Sequence, residues 1–196
     1  MAVEEPNKAA QDTSKEMNDE VLIERVAAGD EEAAETLFRR HRSGVYRLAF
    51  GILTDADAAM DAVQETFVRV FAASGRFRKG ARFTTWLYRI ALNCCYDALR
   101  RRRVRPEEPA EKEVFDLRQR DCEGPSEGAQ RRELQAALSE AVNRLSPKLR
   151  RVFVLRFFNE LSYEQIAQVV GCSIGTVMSR LFYARQRLRE LLKDYL

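Results

Sequence analysis

The chain has 196 residues, of which 45% are hydrophobic and 32% charged, and its formal net charge is +3. This length suits one or two small domains, and the composition excludes a fibrous or wholly unstructured chain. No apolar run approaches the length of a membrane span, and no signal peptide precedes residue 20. We therefore expect a cytoplasmic protein without direct membrane insertion.

The cysteines have neither the spacing of a disulfide framework nor that of a zinc site. The single histidine, His41, is far from them in the sequence. We expect reduced thiols and no metal or other cofactor. Of the four cysteines, a redox role stays open for Cys122 and Cys172 rather than for Cys94 and Cys95.

Residues 1 to 18 are polar and without periodicity, which predicts a disordered tail. A helical domain is predicted over residues 19 to 104. It begins with a short helix that closes at Gly29, then a helix capped by Asp30, then a further apolar series that ends before Thr54. The apolar positions of these segments are Val21, Leu22, Val26, Ala27, Ala33, Ala34, Leu37, Phe38, Val45, Leu48, Ala49 and Ile52.

The next helix, predicted from about Ala56 to Ala72, has two distinct faces. Acidic residues in its first half are favoured by the helix dipole alone. An acidic and amide patch with an apolar member could equally dock a basic protein partner. The inward stripe consists of Ala59, Ala62, Val63, Thr66, Phe67 and Val70. The opposite patch, spaced at i, i+3, i+4 and i+7, consists of Asp61, Gln64, Glu65 and Val68.

Residues 76 to 105 contain ten Lys or Arg and one acid, Asp97, so their local charge is 10 − 1 = +9. Such a concentration is typical of a nucleic-acid surface. The alternatives are a solvated face or a helix end near a membrane, and the interleaved aromatic residues argue against both.

Gly80 predicts a loop within this basic stretch, and Thr84 or Thr85 is expected to cap the helix that follows. The core face of that helix is predicted to be Leu87, Ile90, Ala91, Cys94 and Ala98. The other side carries Trp86, Arg89, Asn93, Tyr96, Arg100 and Arg103. Aromatic rings stack on unpaired bases, amides bond base edges and guanidinium groups pair with phosphates, which favours single-strand binding. Alternatively, Trp86 and Tyr88 are core residues and the arginines only solubilise the chain.

Residues 105 to 130 contain three prolines, and eight acids outnumber four bases, which predicts a flexible acidic linker. A second domain is predicted over residues 131 to 196, where the helical period returns at Leu134, Leu138, Ala141 and Leu145. Ser146 and Pro147 start a further helix. Its predicted core face is Leu149, Val152, Phe153 and Phe157.

The last third of the chain predicts two short helices joined by a tight turn. Ser162 and Gln165 form a capping box, Gly171 ends the first helix, and Ser173 caps the second. The second helix has an apolar face of Val177, Leu181, Ala184, Leu188 and Leu191, opposite Thr176, Ser179, Arg180, Tyr183 and Arg187. This is the helix-turn-helix pattern, whose second helix enters the major groove. The alternative is a helical hairpin with a merely solvated polar face.

Three segments, in this order, resemble the sigma factors of bacterial RNA polymerase. They are DAVQETFVRVF (61–71), FTTWLYRIALNCCYDALRRRR (83–103) and LSYEQIAQVVGCSIGTVMSRL (161–181). The resemblance covers about residues 20 to 196. Within the sigma factors, the chain looks like the compact extracytoplasmic-function (ECF) group, which keeps only regions two and four. It implies an all-α chain of two small helical domains joined by a flexible linker, acting as a non-catalytic initiation subunit.

The resemblance also implies partners and residue roles. Core RNA polymerase is bound through the clamp helices of its largest subunit and through its flap, the linker threads its interior, and an anti-sigma protein holds the factor inactive. The clamp contact falls on Asp61, Gln64, Glu65 and Val68. Recognition and melting of the minus-ten promoter element fall on Phe77, Arg78, Lys79, Arg82, Trp86, Arg89, Asn93, Tyr96 and Arg100. Reading of the minus-thirty-five element falls on Thr176, Ser179, Arg180, Phe182, Tyr183, Arg185 and Arg187.

The chain departs from many relatives at Met178 and Tyr183, where a basic residue is common, and at a less acidic loop over residues 80–82. Its promoter sequences therefore cannot be borrowed from a relative. The alternative function is a stand-alone helix-turn-helix regulator, which has no need of the segments within residues 56–103. A small helical enzyme is disfavoured, since the sequence has no phosphate-binding glycine loop and no metal-ligand cluster.

Overall fold

The computed structural model describes residues 17–104 and 127–193, which form eight α-helices and a short 3₁₀ turn, without a strand in these ranges. The all-α class is confirmed. Residues 1–16 of the predicted tail and 105–126 of the predicted linker lie outside the described residues. The elements are α1 (Asp19–Ala27), α2 (Glu31–Leu53), α3 (Ala56–Ala72), the turn Ser74–Arg76, α4 (Phe83–Val104), α5 (Glu127–Asn143), α6 (Pro147–Phe157), α7 (Tyr163–Val170) and α8 (Ile174–Leu191).

The N-terminal helices α1 to α4 form one packed group, in which α3 and α4 lie against α2. Local capping defines its helix starts: Asp30 accepts a hydrogen bond from the Ala33 N–H (3.0 Å) and Asp55 accepts one from the Ala58 N–H (2.8 Å). The two apolar series before Thr54 belong to one helix, α2, which ends where Thr54 takes a left-handed conformation. Fully buried side chains of the group include Leu22, Ile23, Leu37, Leu48, Val70, Phe83 and Leu87.

Helix α1 begins at Asp19, as predicted, while the predicted starts of α4 and α5 are wrong. Asn18, assigned to the tail, caps α1 by accepting from the Glu20 N–H at 3.4 Å. Helix α4 begins at Phe83, before Thr84 and Thr85, because its first N–H donates to the Glu20 carboxylate at 3.0 Å. Helix α5 begins at Glu127, inside the predicted linker. The early start of α4 depends on Glu20 of α1, which no pattern local to α4 indicates.

The C-terminal helices follow the sequence pattern more closely. The Gln165 N–H donates to Ser162 Oγ (3.3 Å), and the Ser162 N–H donates to Gln165 Oε1 (2.8 Å). Gly171 ends α7 at φ 69°, and Ser173 accepts from the Thr176 N–H at 3.2 Å. The predicted helix-turn-helix and its caps are confirmed.

Helices α7 and α8 meet at 100°, within the range of helix-turn-helix units. Across the described ranges no single helix is long and apolar enough to cross a membrane, and only this bent pair reaches that length and composition together.

One predicted core position in the C-terminal group is wrong. Phe157 is 44% exposed, and its ring is covered instead by the Arg185 guanidinium at 5.3 Å.

The two groups of helices pack on each other, α2 against α6 and α4 against α7. Gly51 allows helices α2 and α6 to approach closely, because a Cβ at this position would lie 2.8 Å from Val154 Cγ1 and 3.0 Å from Phe158 Cδ2. Arg150 reaches across to the Ile52 carbonyl (3.2 Å) while also donating to the Val142 carbonyl (3.1 Å). Burial lowers the pKa of Arg150. The interface is therefore built from a close helix–helix approach and an arginine that satisfies helix-end carbonyls.

Asp19 joins α1 to α2, since its carboxylate accepts from Arg40 (2.8 Å) and contacts His41 Nε2 (2.7 Å). Burial raises its pKa, but His41 and Arg40 outweigh that effect and the net pKa lies below 3.8. Replacing Asp19 by asparagine should therefore lower the free energy of unfolding at neutral pH by about 1.5 kcal/mol.

Urea denaturation of the wild type and the Asp19→Asn variant checks this prediction. A carboxyl with a depressed pKa contributes stability above its unfolded pKa and loses it as pH falls through the folded value, so the stability difference between the two proteins should shrink as pH falls below the ordinary value of 3.8. Glu35→Gln, which removes an exposed carboxylate from α2, is the control. Equal unfolding free energies for Asp19→Asn and wild type at neutral pH would contradict the assignment.

Candidate nucleic-acid interface

The acidic patch predicted on α3 is mostly exposed. Asp61 and Gln64 face solvent, and Val68 is 63% exposed. Glu65 is half-buried and accepts from Arg69 Nε at 2.7 Å. The structure therefore places three of the four predicted contact residues on an open surface and the fourth in an ion pair.

That ion pair continues into α4. Arg69 also donates to Asp97 at 2.9 Å, and Arg100 donates to the other oxygen of the same carboxylate. Hydrogen bonds from Arg69 and then Arg100 hold the pKa of Asp97 below its ordinary value, and Asp97 and Glu65 raise the pKa of Arg69. The network orients Arg100, one of the residues predicted to meet promoter DNA, and joins the α3 patch to the basic helix.

The basic loop before α4 rests on an aromatic cluster. The Phe77 ring lies 5.3 Å from Trp86 and 6.3 Å from Phe83, and Trp86 lies 6.2 Å from Phe83. Arg78, Lys79 and Arg82 are exposed at the loop surface, and the positive φ of 84° at Gly80 forms its turn. Trp86 is half-buried, so it supports the loop while leaving part of its ring accessible. The structure thus shows that Trp86 packs partly in the core, and its role in single-strand binding stays a prediction.

Helix α4 presents the remaining predicted minus-ten residues. Arg89 and Asn93 are exposed, and Tyr96 is half-buried, with its pKa raised by burial. Tyr88 is buried and belongs to the core. Between α4 and the start of α6 lies a cleft of about 610 Å³ lined by Arg69, Asn93, Tyr96, Asp97, Leu99, Arg100 and Pro147. Amide, phenol and guanidinium groups converge on this cleft.

The C-terminal helices cover part of this face. Arg89 donates to the Gln168 carbonyl of α7, and the Tyr96 hydroxyl donates to the Pro147 carbonyl at 3.2 Å. Each of these side chains therefore donates a hydrogen bond to a backbone carbonyl of the C-terminal group of helices. A DNA strand that uses these two donors has to displace the carbonyls, while the other N–H groups of Arg89 stay available to it.

Residues that the sequence did not single out fix this closed arrangement. Asn159 Nδ2 lies within hydrogen-bond distance of the Gly44 carbonyl (2.7 Å) and of the Tyr88 hydroxyl (3.2 Å). Arg47 donates to the Phe158 carbonyl at 2.9 Å. Gly44 lies close to Tyr88, since a Cβ there would be 2.5 Å from the phenol oxygen. Gly44 and Gly51, both within α2, were the available signal in the sequence for a close approach.

Helix α8 buries four of the five residues of its predicted apolar face, Val177, Leu181, Ala184 and Leu188, and leaves the fifth, Leu191, half-buried. The predicted upstream-element residues occupy its other sides: Ser179, Phe182, Tyr183, Arg185 and Arg187 are exposed, while Thr176 and Arg180 are half-buried. The Arg180 guanidinium lies 3.7 Å from Cys172 Sγ, at the flank rather than the centre of the exposed face. The structure thus brings all seven residues onto one helix with its outer surface open.

The three cysteines within the described residues are free thiols. Cys94 and Cys95 are buried, and burial raises the pKa of Cys95 to about 12. Cys172 is free and partly exposed, while Cys122 lies outside the described residues. Within the described ranges no group of His, Cys, Asp and Glu side chains is placed to hold a metal ion.

Sequence comparisons match the two groups of helices separately. Residues 37–105 match the family described as Sigma-70 region 2, and residues 135–188 match Sigma-70, region 4. The chain is 37% identical to the RNA polymerase sigma-H factor of Pseudomonas aeruginosa over 184 residues, covering 91% of this chain and 95% of the relative. It is 34% identical to the ECF RNA polymerase sigma-E factor of Escherichia coli over 181 residues, covering 89% and 94%.

Solved structures with the same architecture were determined as complexes. CnrH, in complex with the cytosolic domain of CnrY, matches with a TM-score of 0.70 and 27% identity, covering 90% of this chain and 97% of that chain. The sigma factor RpoE of Bartonella quintana, in complex with the anti-sigma factor NepR, matches with a TM-score of 0.64 and 28% identity, covering 81% and 96%.

Proposed function

We propose that this chain, which belongs to the sigma-70 family and to its ECF group, directs core RNA polymerase to promoters and promotes DNA melting there. The observation that carries the proposal is the presence of region 2 and region 4 in order, in a chain that relatives match over nine-tenths of its length. A stand-alone helix-turn-helix regulator is not favoured, because region 2 accounts for residues 37–105.

Each surface receives one role in this proposal. The α3 patch, defined as Asp61, Gln64, Glu65 and Val68, contacts the clamp helices of the largest polymerase subunit. The loop and α4 hold the opened non-template strand of the minus-ten element, with rings for bases and guanidinium groups for phosphates. Helix α8 reads the minus-thirty-five element in the major groove. The chain itself performs no catalysis and works in the cytoplasm, where the polymerase acts.

An anti-sigma protein is a further partner in this proposal. The matched structures of CnrH and RpoE were solved with the cytosolic domain of CnrY and with the anti-sigma factor NepR, respectively. In the present chain, the closed packing of the two groups of helices already occupies Arg89 and Tyr96. A partner that stabilises this packing keeps those residues from DNA.

Run-off transcription with purified bacterial core polymerase over fragmented genomic DNA tests the proposed function. New discrete transcripts that require the protein are expected, and their start sites reveal both promoter elements. If none appears, a pull-down with core polymerase decides the outcome. Failure to bind core polymerase would overturn the proposal and would favour the stand-alone helix-turn-helix regulator instead.

The α3 patch gives a sharper prediction. Replacing Val68 by aspartate should weaken binding to core polymerase roughly tenfold or more, since a charge at the centre of a packed contact is desolvated without a partner. The free protein should stay folded, because Val68 is 63% exposed.

Val21→Asp is the matched control, since it introduces the same charge at a residue of α1 that is 46% exposed. Fluorescence anisotropy of labelled protein titrated with core polymerase measures both variants. Equal affinities of Val68→Asp and Val21→Asp for core would remove Val68 from the proposed contact.

A further inference from the structure

Helix α8 carries an exposed apolar stripe on the side that remains open. Ile174, Met178 and Phe182 are four residues apart and are 42%, 54% and 64% exposed. Residues at this spacing lie on one face of a helix, and the buried face is formed by a different set, from Val177 to Leu188. The exposed stripe is therefore separate from the side of α8 that faces the core.

The surroundings of the stripe favour DNA as its occupant. Helix α8 contains four arginines and one acid, and that acid, Glu190, is paired with Arg187 at 2.8 Å. Arg185 and Arg189 lie seven residues beyond Met178 and Phe182, so they continue the same side of the helix. Arg185 lies over the Phe157 ring, and neither Arg185 nor Arg189 has an acidic partner among the described residues, so the stripe leads into positive charge that is complementary to a phosphate-lined groove.

The chemistry of the major groove then identifies the apolar group that is contacted. Among the base edges exposed there, the thymine C5-methyl is the apolar one, and side chains without donors meet it through van der Waals contact. Met178 has no hydrogen-bond donor, and neither has Phe182. Neither can therefore read a base by donating a hydrogen bond.

We propose that Met178 and Phe182 read two thymine methyl groups in the upstream promoter element, an inference that rests on the proposed sigma function. Residues four apart are separated by about 6 Å along a helix, which corresponds to roughly two base-pair steps of about 3.4 Å. The preferred element therefore contains two thymines one or two steps apart, on either strand.

The test uses holoenzyme assembled from the full chain and core polymerase. An upstream element is first selected from a randomised promoter library, and each thymine is then replaced singly by deoxyuridine, which lacks only the methyl group. We expect roughly fourfold weaker promoter binding at each of two thymines, the effect of one buried methylene-sized group, and roughly sixteenfold when both are replaced.

Variants connect the methyl groups to the side chains. Met178→Ala should abolish the thymine–deoxyuridine difference at one position and Phe182→Ala at the other, whereas Met178→Leu, which keeps an apolar side chain, should retain most of it. Arg189→Ala is the matched control, because Arg189 is exposed and is not among the residues predicted to read the element, so loss of its charge lowers affinity on both templates and leaves their ratio unchanged.

The outcomes separate this inference from the proposed function. Equal binding of thymine and deoxyuridine templates at every position would overturn the methyl contacts while leaving the sigma function intact. Equal binding of both templates, together with weaker holoenzyme assembly by Met178→Ala, would assign the stripe to a protein partner instead. A holoenzyme that selects no upstream element would overturn both proposals.

Discussion

Replacing Gly51 by leucine is expected to open the closed chain and to strengthen binding of single-stranded minus-ten DNA by the free protein. Val154 Cγ1 and Phe158 Cδ2 lie 2.8 and 3.0 Å from the position a Cβ would take, so a leucine side chain cannot fit between α2 and α6. Helix α2 itself should persist, because leucine favours a helix over glycine by up to about 1 kcal/mol.

The expected gain in DNA affinity follows from competition for the same donors. In the closed form Arg89 and Tyr96 bond to carbonyls of the C-terminal helices. The apparent affinity of a ligand that binds only the open form is the intrinsic affinity multiplied by the fraction of molecules that are open. If closure is worth about 1–3 kcal/mol, opening should tighten strand binding by roughly five- to 150-fold.

Two measurements on one pair of variants check this prediction. Small-angle scattering should show a larger radius of gyration for Gly51→Leu, and anisotropy with a minus-ten oligonucleotide should show tighter binding. Gly75→Leu is the matched control, since no atom lies within 4 Å of a Cβ at Gly75. A Gly51→Leu protein as compact as the wild type, with unchanged strand affinity, would show that the packing does not limit access to DNA.

The parts of the fold that could be predicted from the sequence are those specified by neighbours along the chain. The capping box of Ser162 and Gln165, the left-handed Gly171 and the Ser173 cap all act within four residues, and the structure has each of them. The α3 boundaries, Ala56–Ala72, were equally predictable, because Asp55 caps the helix locally.

The errors occur where a distant side chain replaces the local signal. Thr84 and Thr85 were reasonable caps for α4, but Glu20 of α1 accepts from the Phe83 N–H and the helix begins earlier. Phe157 has the spacing of a core residue, yet the core-facing positions of α6 already bury Val152 to Leu155. No helical period could indicate this, since it depends on which helix covers which side.

The candidate site divides in the same way. Residue types and spacing predicted which side of α4 is basic and which side of α8 is open, because helical geometry alone determines both. The covering of Arg89 and Tyr96 by Gln168 and Pro147 joins residues 51 to 79 positions apart. Such contacts depend on how the two groups of helices dock, and the closely approached glycines of α2, Gly44 and Gly51, were the local signal for that docking.

Combined replacement of Trp86 and Asn93 by alanine should leave core polymerase binding unchanged and strongly reduce open-complex formation. Trp86 stacks against the loop cluster with part of its ring accessible, and Asn93 lies exposed at the cleft. Both can meet an unstacked base of the open strand, whereas duplex DNA offers neither a free ring face nor a free pairing edge. Because these contacts exist only after melting, they stabilise the open state over the closed one.

The size of the effect follows from stacking. Base–aromatic stacking is worth about 1–3 kcal/mol per base, so loss of the ring alone should lower the open fraction by roughly five- to 150-fold. Permanganate reactivity of promoter thymines measures the open strand, and a native gel with core polymerase measures assembly. Trp86→Phe is the control, because it keeps a ring on Phe77 and should recover most of the reactivity that Trp86→Ala loses. Wild-type permanganate reactivity in the double variant would mean that α4 does not hold the melted strand through these residues, and the melting role would then pass to the exposed loop arginines, Arg78 and Arg82.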